Sequence, residues 1–178
     1  MKVNPSDNAI INVENWLTKG LKPMTHLPIL VNVRGIIIRK NKVLLIKMND
    51  ENGMYFTYPG GTVRQGESIY DTLKRGIILQ TCAEIQVHRL LMVWEYLPEK
   101  EGFRYGDRQK IALVFLCKQT LGKEPQMPKI PDPNQIDVTW LPLHALDELP
   151  VLPVIGKELQ NSLNIKINTG NLFLNSTN

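Results

Sequence analysis

Three glycines, Gly60, Gly61 and Gly66, fall within seven residues of one another, in a stretch that runs on through Glu67 and Ser68. A loop of this composition suits either of two needs: backbone amides turned toward a phosphate, or positive φ angles that only glycine adopts cheaply. Arg104 and Arg108 lie in the polar stretch from Pro98 to Gln109. Their guanidinium groups are of the kind that grips phosphate oxygens, and they are equally at home as solvated surface charges. Tyr55, Tyr58, Trp94 and Tyr96 have the flat faces that stack on a nucleobase, although aromatic residues in strands usually fill cores; Tyr58 and Trp94 are the ones to weigh as ligand contacts. His26, His88 and His144 show no ligand spacing, and a satisfied structural role is expected for each. Glu51, Glu84, Glu95 and Asp107 are the acids available elsewhere to gather a metal ion.

Composition limits what such residues can be part of. At 178 residues, 43% apolar and 21% charged, the chain suits one ordinary globular domain with some length left for extensions. No window approaches the roughly 18 apolar residues of a membrane span, and residues 1–25 lack the apolar core of a secretory signal, so a cytoplasmic protein is expected. Cys82 and Cys117 have no metal-ligand spacing and imply no disulfide. The net charge of +4 is scattered rather than run together, which argues against nucleic acid as a partner while remaining compatible with a phosphorylated small molecule.

The elements that must position these residues follow from periodicity. Ser6 or Asp7 can cap a helix carrying Ile10, Ile11, Trp16 and Leu17, with Gly20 as its stop, and a proline-punctuated connector follows. Residues 1–28 therefore read as a helical extension and linker. Ile29–Arg39 and Val43–Met48 are β-branched runs around a turn at Asn41, a hairpin. Met54–Tyr58 is a short strand that breaks at Pro59-Gly60-Gly61, with Gly60–Glu67 as a loop. Ile69, Leu73 and Ile77 recur every four residues behind the capping oxygen of Ser68, which predicts a helix from Ser68 to about Cys82. Long strands are predicted over Ile85–Leu97 and Lys110–Lys118, and a shorter one over Asp137–Leu141. Short helices follow at Leu143–Leu149 and Val154–Leu163, divided by Pro150 and Pro153. The asparagine-rich residues 164–178 read as a fraying tail.

Gly61, Glu67, Arg75, Ile77 and Ala83 stand in the register of a known motif: glycine, five residues, glutamate, seven residues, then arginine-glutamate-apolar-x-glutamate-glutamate-x-glycine-apolar. The chain resembles the Nudix (MutT-like) hydrolases over roughly Ile29 to Leu163. The order of hairpin, strand into Pro-Gly-Gly, helix, long strands and Val138-Thr139-Trp140-Leu141-Pro142-Leu143 is similar as well. The resemblance implies an α/β (α+β) fold with a mixed sheet between helices over residues 29–163. It also implies hydrolysis of nucleoside diphosphates linked to another moiety, and Mg²⁺ or Mn²⁺ as cofactor. It pairs Glu67 with Arg75, with Glu67 near the metal, and gives Arg34 a place facing the ligand. By residue type alone, Tyr58, Gly60, Gly61, Trp94, Arg104 and Arg108 join it as candidate substrate contacts.

Chemistry explains what the motif needs. A pyrophosphate linkage repels an attacking nucleophile with its own charge, and divalent cations held by carboxylate oxygens relieve that repulsion and stabilise the leaving phosphate. The three helical glutamates of the motif correspond here to Gly76, Leu79 and Gln80, within about 100° of helical arc. None ionises. The glycine that ends the motif is Cys82, and Gly76 inside a helix costs about 1 kcal/mol relative to alanine. Three readings follow: a nucleotide-diphosphate binder with weak or no hydrolysis, an active Mg²⁺-dependent pyrophosphohydrolase using acids outside this helix, or an interaction module. In the last, Ile78 and Leu79 join a partner surface or a homodimer.

Overall fold

The computed structural model describes residues 28–120, 122–164 and 173–175; the N-terminal helix expected from Ser6 to Gly20 lies outside them. Leu30–Arg39 (β1) and Lys42–Asp50 (β2) form the expected hairpin. Its two-residue turn uses Lys40 at φ 49° and Asn41 at φ 59°, so the left-handed conformation that hairpin turns require is met without glycine. From this hairpin two sheets diverge. In one, β1 runs parallel to Lys110–Gln119 (β6), which pairs antiparallel with Ile85–Tyr96 (β5). In the other, β2 is flanked by Gly53–Thr57 (β3) and Gln135–Pro142 (β7), both antiparallel to it.

Alternation along the strands divides the core between two faces. Val33, Gly35 and Ile37 of β1 face the helix Ile69–Thr81 (α1), where Leu73 and Ile77 are fully buried; burying such side chains contributes about 1.5–3 kcal/mol each. Arg34 and Ile36 point the other way. On that side Ile36, Tyr58 and Trp94 pack in a cluster with Ile155 and with Leu159 of the second helix, Gly156–Asn164 (α2). The mixed sheet thus lies between helices, as expected.

The structure departs from the sequence reading in four places. Gly60–Thr62 is a short strand (β4) paired antiparallel with β1, not loop. The segment after Pro142 makes only a single 3₁₀ turn, Leu143–Ala145, rather than a helix to Leu149. The pair Val151–Leu152 (β8) runs parallel to β3, a strand too short for any periodicity to announce. Phe173–Asn175 (β9), within the stretch read as a tail, adds parallel to β5.

Helix α1 is bounded as the sequence suggested. Ser68 is the N-cap, its Oγ accepting from the Asp71 amide at 3.1 Å and donating to the Asp71 carboxylate at 2.6 Å. Cys82 closes the helix in the left-handed conformation, φ 56°, with its amide donating to the Ile78 carbonyl. That is a glycine's usual role, filled here by a residue with a side chain.

Gly76 is the closest point between α1 and β4. A Cβ at Gly76 would overlap the Gly60 carbonyl, and a Cβ at Gly60 would overlap the Val33 carbonyl. The missing side chains let helix, β4 and β1 stack backbone on backbone. Gly76→Ala should therefore destabilise the fold by about 1–3 kcal/mol through overpacking, although the same change on an open helix face would gain about 1 kcal/mol. Urea unfolding checks the sign, and a stabilised variant would refute the close approach.

Candidate functional site

A cleft of about 520 Å³ opens on the sheet face opposite α1's buried side. Register explains its floor. Asn32 of β1 is opposite Ala112 of β6, and Ala112 is opposite Trp94 of β5; all three line the cleft. Two residues along each strand bring Arg34 and Lys110 onto the same lining. Across from them stand Asp50 and Tyr55 of the β2–β3 hairpin, and Asp147 with the segment Leu149–Val154.

Aromatic packing fixes the near wall. Trp94 stacks on Tyr96 with ring centroids 5.9 Å apart, and Tyr105 sets its edge against both at 5.5 and 5.0 Å. The Tyr96 hydroxyl donates to the Gly106 carbonyl at 2.7 Å and accepts from the Tyr105 amide at 3.1 Å. The loop before β6 is thereby pinned to β5, with Arg104 and Tyr105 at the cleft.

Cations dominate the floor. Burial lowers the pKa of Arg34, whose Nη1 donates to the Tyr58 carbonyl at 3.3 Å. Burial also lowers that of Lys110, and the nearby Arg34 charge lowers it further. The Lys110 ammonium donates to the Tyr105 carbonyl and lies 5.6 Å from the Tyr96 ring centroid. Both cations are desolvated, and each would be relieved by an anion.

Of the residues singled out from sequence, Arg34, Tyr55, Trp94 and Arg104 meet in this cleft. Tyr58 does not: it is fully buried, spaced two residues from Phe56 and so directed with it into the core, where burial raises its pKa. Gly60 and Gly61 do not line the cleft either. Gly60 is in close backbone approach to Val33 and Gly76, and Gly61 lies in ordinary contact with the Thr72 and Arg75 side chains. Arg108 is also absent from the lining, as are Glu51, Glu84, Glu95 and Asp107. Sequence reading passed over Lys110 and Tyr105. The available signal was a lysine opening an apolar strand two residues before Ala112, on the same side by alternation.

Glu67 and Arg75 meet outside the cleft. Arg75 Nε donates to Glu67 Oε1 at 2.5 Å and Nη2 to Oε2 at 2.8 Å, a bidentate pair tying the loop before α1 to its second turn. Arg75 holds the Glu67 carboxyl at a pKa of about 2, so both of its oxygens are engaged by a cation.

The three helix positions have distinct fates. Gly76 is buried against Gly60. Leu79 is 58% exposed. Gln80 lines the cleft, its Oε1 accepting the Gly60 amide at 2.9 Å while its own carbonyl accepts from Gln135 Nε2 at 2.7 Å.

The NUDIX domain profile matches residues 29–160. The chain belongs to the Nudix family. An ADP-ribose pyrophosphatase from Streptococcus suis aligns at 17% identity over 84% of this chain and 100% of its own, with a TM-score of 0.56. A UDP-X diphosphatase aligns at 21% identity over 92% and 73% of the two chains, TM-score 0.59. A MutT protein from Methanosarcina mazei gives 16%, 77%, 94% and 0.60 in the same order. At these identities the likeness is one of fold. Comparison with curated protein sequences finds no match. No helix among the described residues is long and apolar enough to cross a membrane.

Nudix hydrolases generally use divalent cations, and the residues of this chain fit one poorly. Among the described residues no three His, Cys, Asp or Glu side chains cluster as metal ligands, and Gly76, Leu79 and Gln80 bring no carboxylate to the helix.

The Glu67–Arg75 pair has a pH signature. A folded-state pKa below the unfolded value adds stability that is complete above the ordinary carboxylate range and lost as pH falls toward 2. Carboxyl NMR titration should find Glu67 ionised to about pH 2, and Glu67→Gln should flatten the acid limb of the stability curve. Titration of Glu67 near 4.5 would mean that the pair does not persist in solution.

Proposed function

We propose that this Nudix protein binds a nucleoside diphosphate linked to another group in the cleft above Arg34 and Trp94, and hydrolyses it weakly or not at all. The observation that carries this reading is the fate of the three helix positions. Gly76 is packed on backbone, Leu79 lies in solvent, and Gln80 offers a neutral amide. Mg²⁺ demands several hard oxygen ligands in near-octahedral array, and a helix face without a carboxylate supplies none of the anionic ones. Binding needs less than hydrolysis. Arg34, Arg104 and Lys110 attract phosphates, and the Trp94–Tyr105 wall offers apolar surface to a base or sugar. Such a role suits the cytoplasm, where nucleotides are abundant and the free Cys82 and Cys117 stay reduced.

A second reading has its own support: Asp50 and Asp147 both line the cleft. In an active Mg²⁺-dependent pyrophosphohydrolase these acids would take over the metal from the helix, since geometry rather than sequence position selects such ligands.

ADP-ribose and UDP-sugars are the first probes, following the activities named for two of the similar structures. With Mg²⁺ or Mn²⁺, release of product by the wild type is expected near background. The variant Leu79→Glu/Gln80→Glu should gain metal-dependent turnover. Its stability should change by no more than about 0.5 kcal/mol at the exposed Leu79 position, while Gly76 is left intact. Brisk wild-type turnover that Asp50→Asn or Asp147→Asn abolishes would replace the first reading with the second.

A further inference from the structure

We infer that the cleft takes its ligand's phosphates directly on Arg34, Lys110 and the side-chain amide of Gln80, without a divalent cation, so that Mg²⁺ competes with the protein for the ligand. This rests on the binding role proposed above and concerns how that binding is achieved.

Gln80 carries the argument. Its Oε1 is committed to the Gly60 amide at 2.9 Å, which fixes the orientation of the side-chain amide. The atom left over is Nε2, a donor that makes no hydrogen bond to the described residues, on a side chain that lines the cleft. A carboxylate at this position would repel a phosphate unless a cation lay between them. An oriented N–H does the opposite, attracting the anion and repelling the cation.

The floor of the cleft has the same polarity. Of five guanidinium N–H donors, Arg34 commits one among the described residues, to the Tyr58 carbonyl at 3.3 Å. The described salt bridges are Arg39–Glu124 and Arg75–Glu67, so neither Arg34 nor Lys110 is salt-bridged among the described residues, although Asp107 lies near enough to Lys110 to favour its charge. Lys110 spends one donor on the Tyr105 carbonyl and keeps two free of the described residues. Arg34 lies four rungs along β1 from Leu30, the residue opposite Lys110, roughly 13 Å at the rise of a strand. Two long cationic side chains can close that span around a diphosphate. The acids that share the lining stand on other segments, Asp50 accepting from the Asn52 amide at 2.8 Å and Asp147 from Gln160 Nε2 at 3.5 Å.

Calorimetry on the full chain tests this with two probes, inorganic pyrophosphate and ADP-ribose, first in EDTA and then in millimolar Mg²⁺. Both are expected to bind in EDTA, and Mg²⁺ should weaken them by complexing the phosphates. Arg34→Met should weaken binding about ten- to a hundredfold, as for loss of a charged hydrogen bond. Lys110→Met, at the start of its strand, provides a second variant should Arg34→Met fail to fold. Gln80→Glu should invert the dependence, with binding poor in EDTA and restored by Mg²⁺. Binding seen only with Mg²⁺, no binding of either probe in EDTA, or affinity indifferent to both cation variants would overturn the inference. Product release measured on the same samples separates the two claims. Mg²⁺-dependent binding without turnover would sink direct recognition alone, whereas brisk turnover would remove the weak-hydrolysis role.

Discussion

Helix α1 rests on β4 with no side chain between them, Gly76 against Gly60, and most of what distinguishes this Nudix protein follows from that contact. Because Gly60 itself fits under the Val33 carbonyl, three backbones are stacked in sequence: β1, β4 and α1. The stack brings Gln80, one helical turn beyond Gly76, within reach of the Gly60 amide. It also brings the second turn of α1 beside the preceding loop, where Arg75 captures Glu67. A larger residue at Gly76 would lift the helix from β4 and strain both bonds. On helix propensity alone, glycine mid-helix is a defect. In this packing it is the residue that fits.

That contact fixes the electrostatics of the cleft as well. A glutamate at residue 76 would meet the Gly60 carbonyl before it met any metal, so in this backbone arrangement the position is closed to ligation for steric reasons. Gln80 is open to the cleft but neutral, with its acceptor occupied. The floor contributed by β1 and β6 carries two desolvated cations. The lining toward which an anion would move is therefore positive or donor-bearing at the floor and at the helix, with Asp50 and Asp147 on other segments. An intact carboxylate cluster on the helix would hold cations of its own and set the two surfaces in opposition.

Much of the fold was legible because it is local or periodic. The four-residue recurrence of Ile69, Leu73 and Ile77, the Ser68 cap and the β-branched runs each record one neighbour relation along the chain. What escaped depends on distant partners. Gly60–Thr62 is a strand only because β1 accepts it, and Val151–Leu152 only because β3 does. Tyr58 looked like a ligand contact by residue type, yet its two-residue spacing from Phe56 already pointed it inward. Lys110 was readable from the same alternation, but its importance appears only when β6 is known to lie beside Arg34. Likewise the sequence marks Gly76 as a departure from the family motif without giving the packing reason, because that reason lies sixteen residues away at Gly60.

The forces that hold α1 in place and the groups it presents to the cleft are on different residues. Ser68 and Asp71 close one end, Cys82 the other, Leu73 and Ile77 bury the inner face, and the Glu67–Arg75 pair braces the second turn. None of these needs a carboxylate at residues 76, 79 or 80. The helix can therefore keep its length, caps and seat while its outward chemistry changes, since the changed residues are solvent-exposed at Leu79 and hydrogen-bonded at Gln80. Gly76 and Gln80 belong to both sets, Gln80 because its Oε1 also ties the helix to the Gly60 amide. Substitution at Gly76 alters packing and ligation together, whereas Leu79 varies chemistry on a fixed scaffold. The chain matches the NUDIX profile over residues 29–160 while three of the motif's acids are replaced, and the residues that seat the helix are largely not those three.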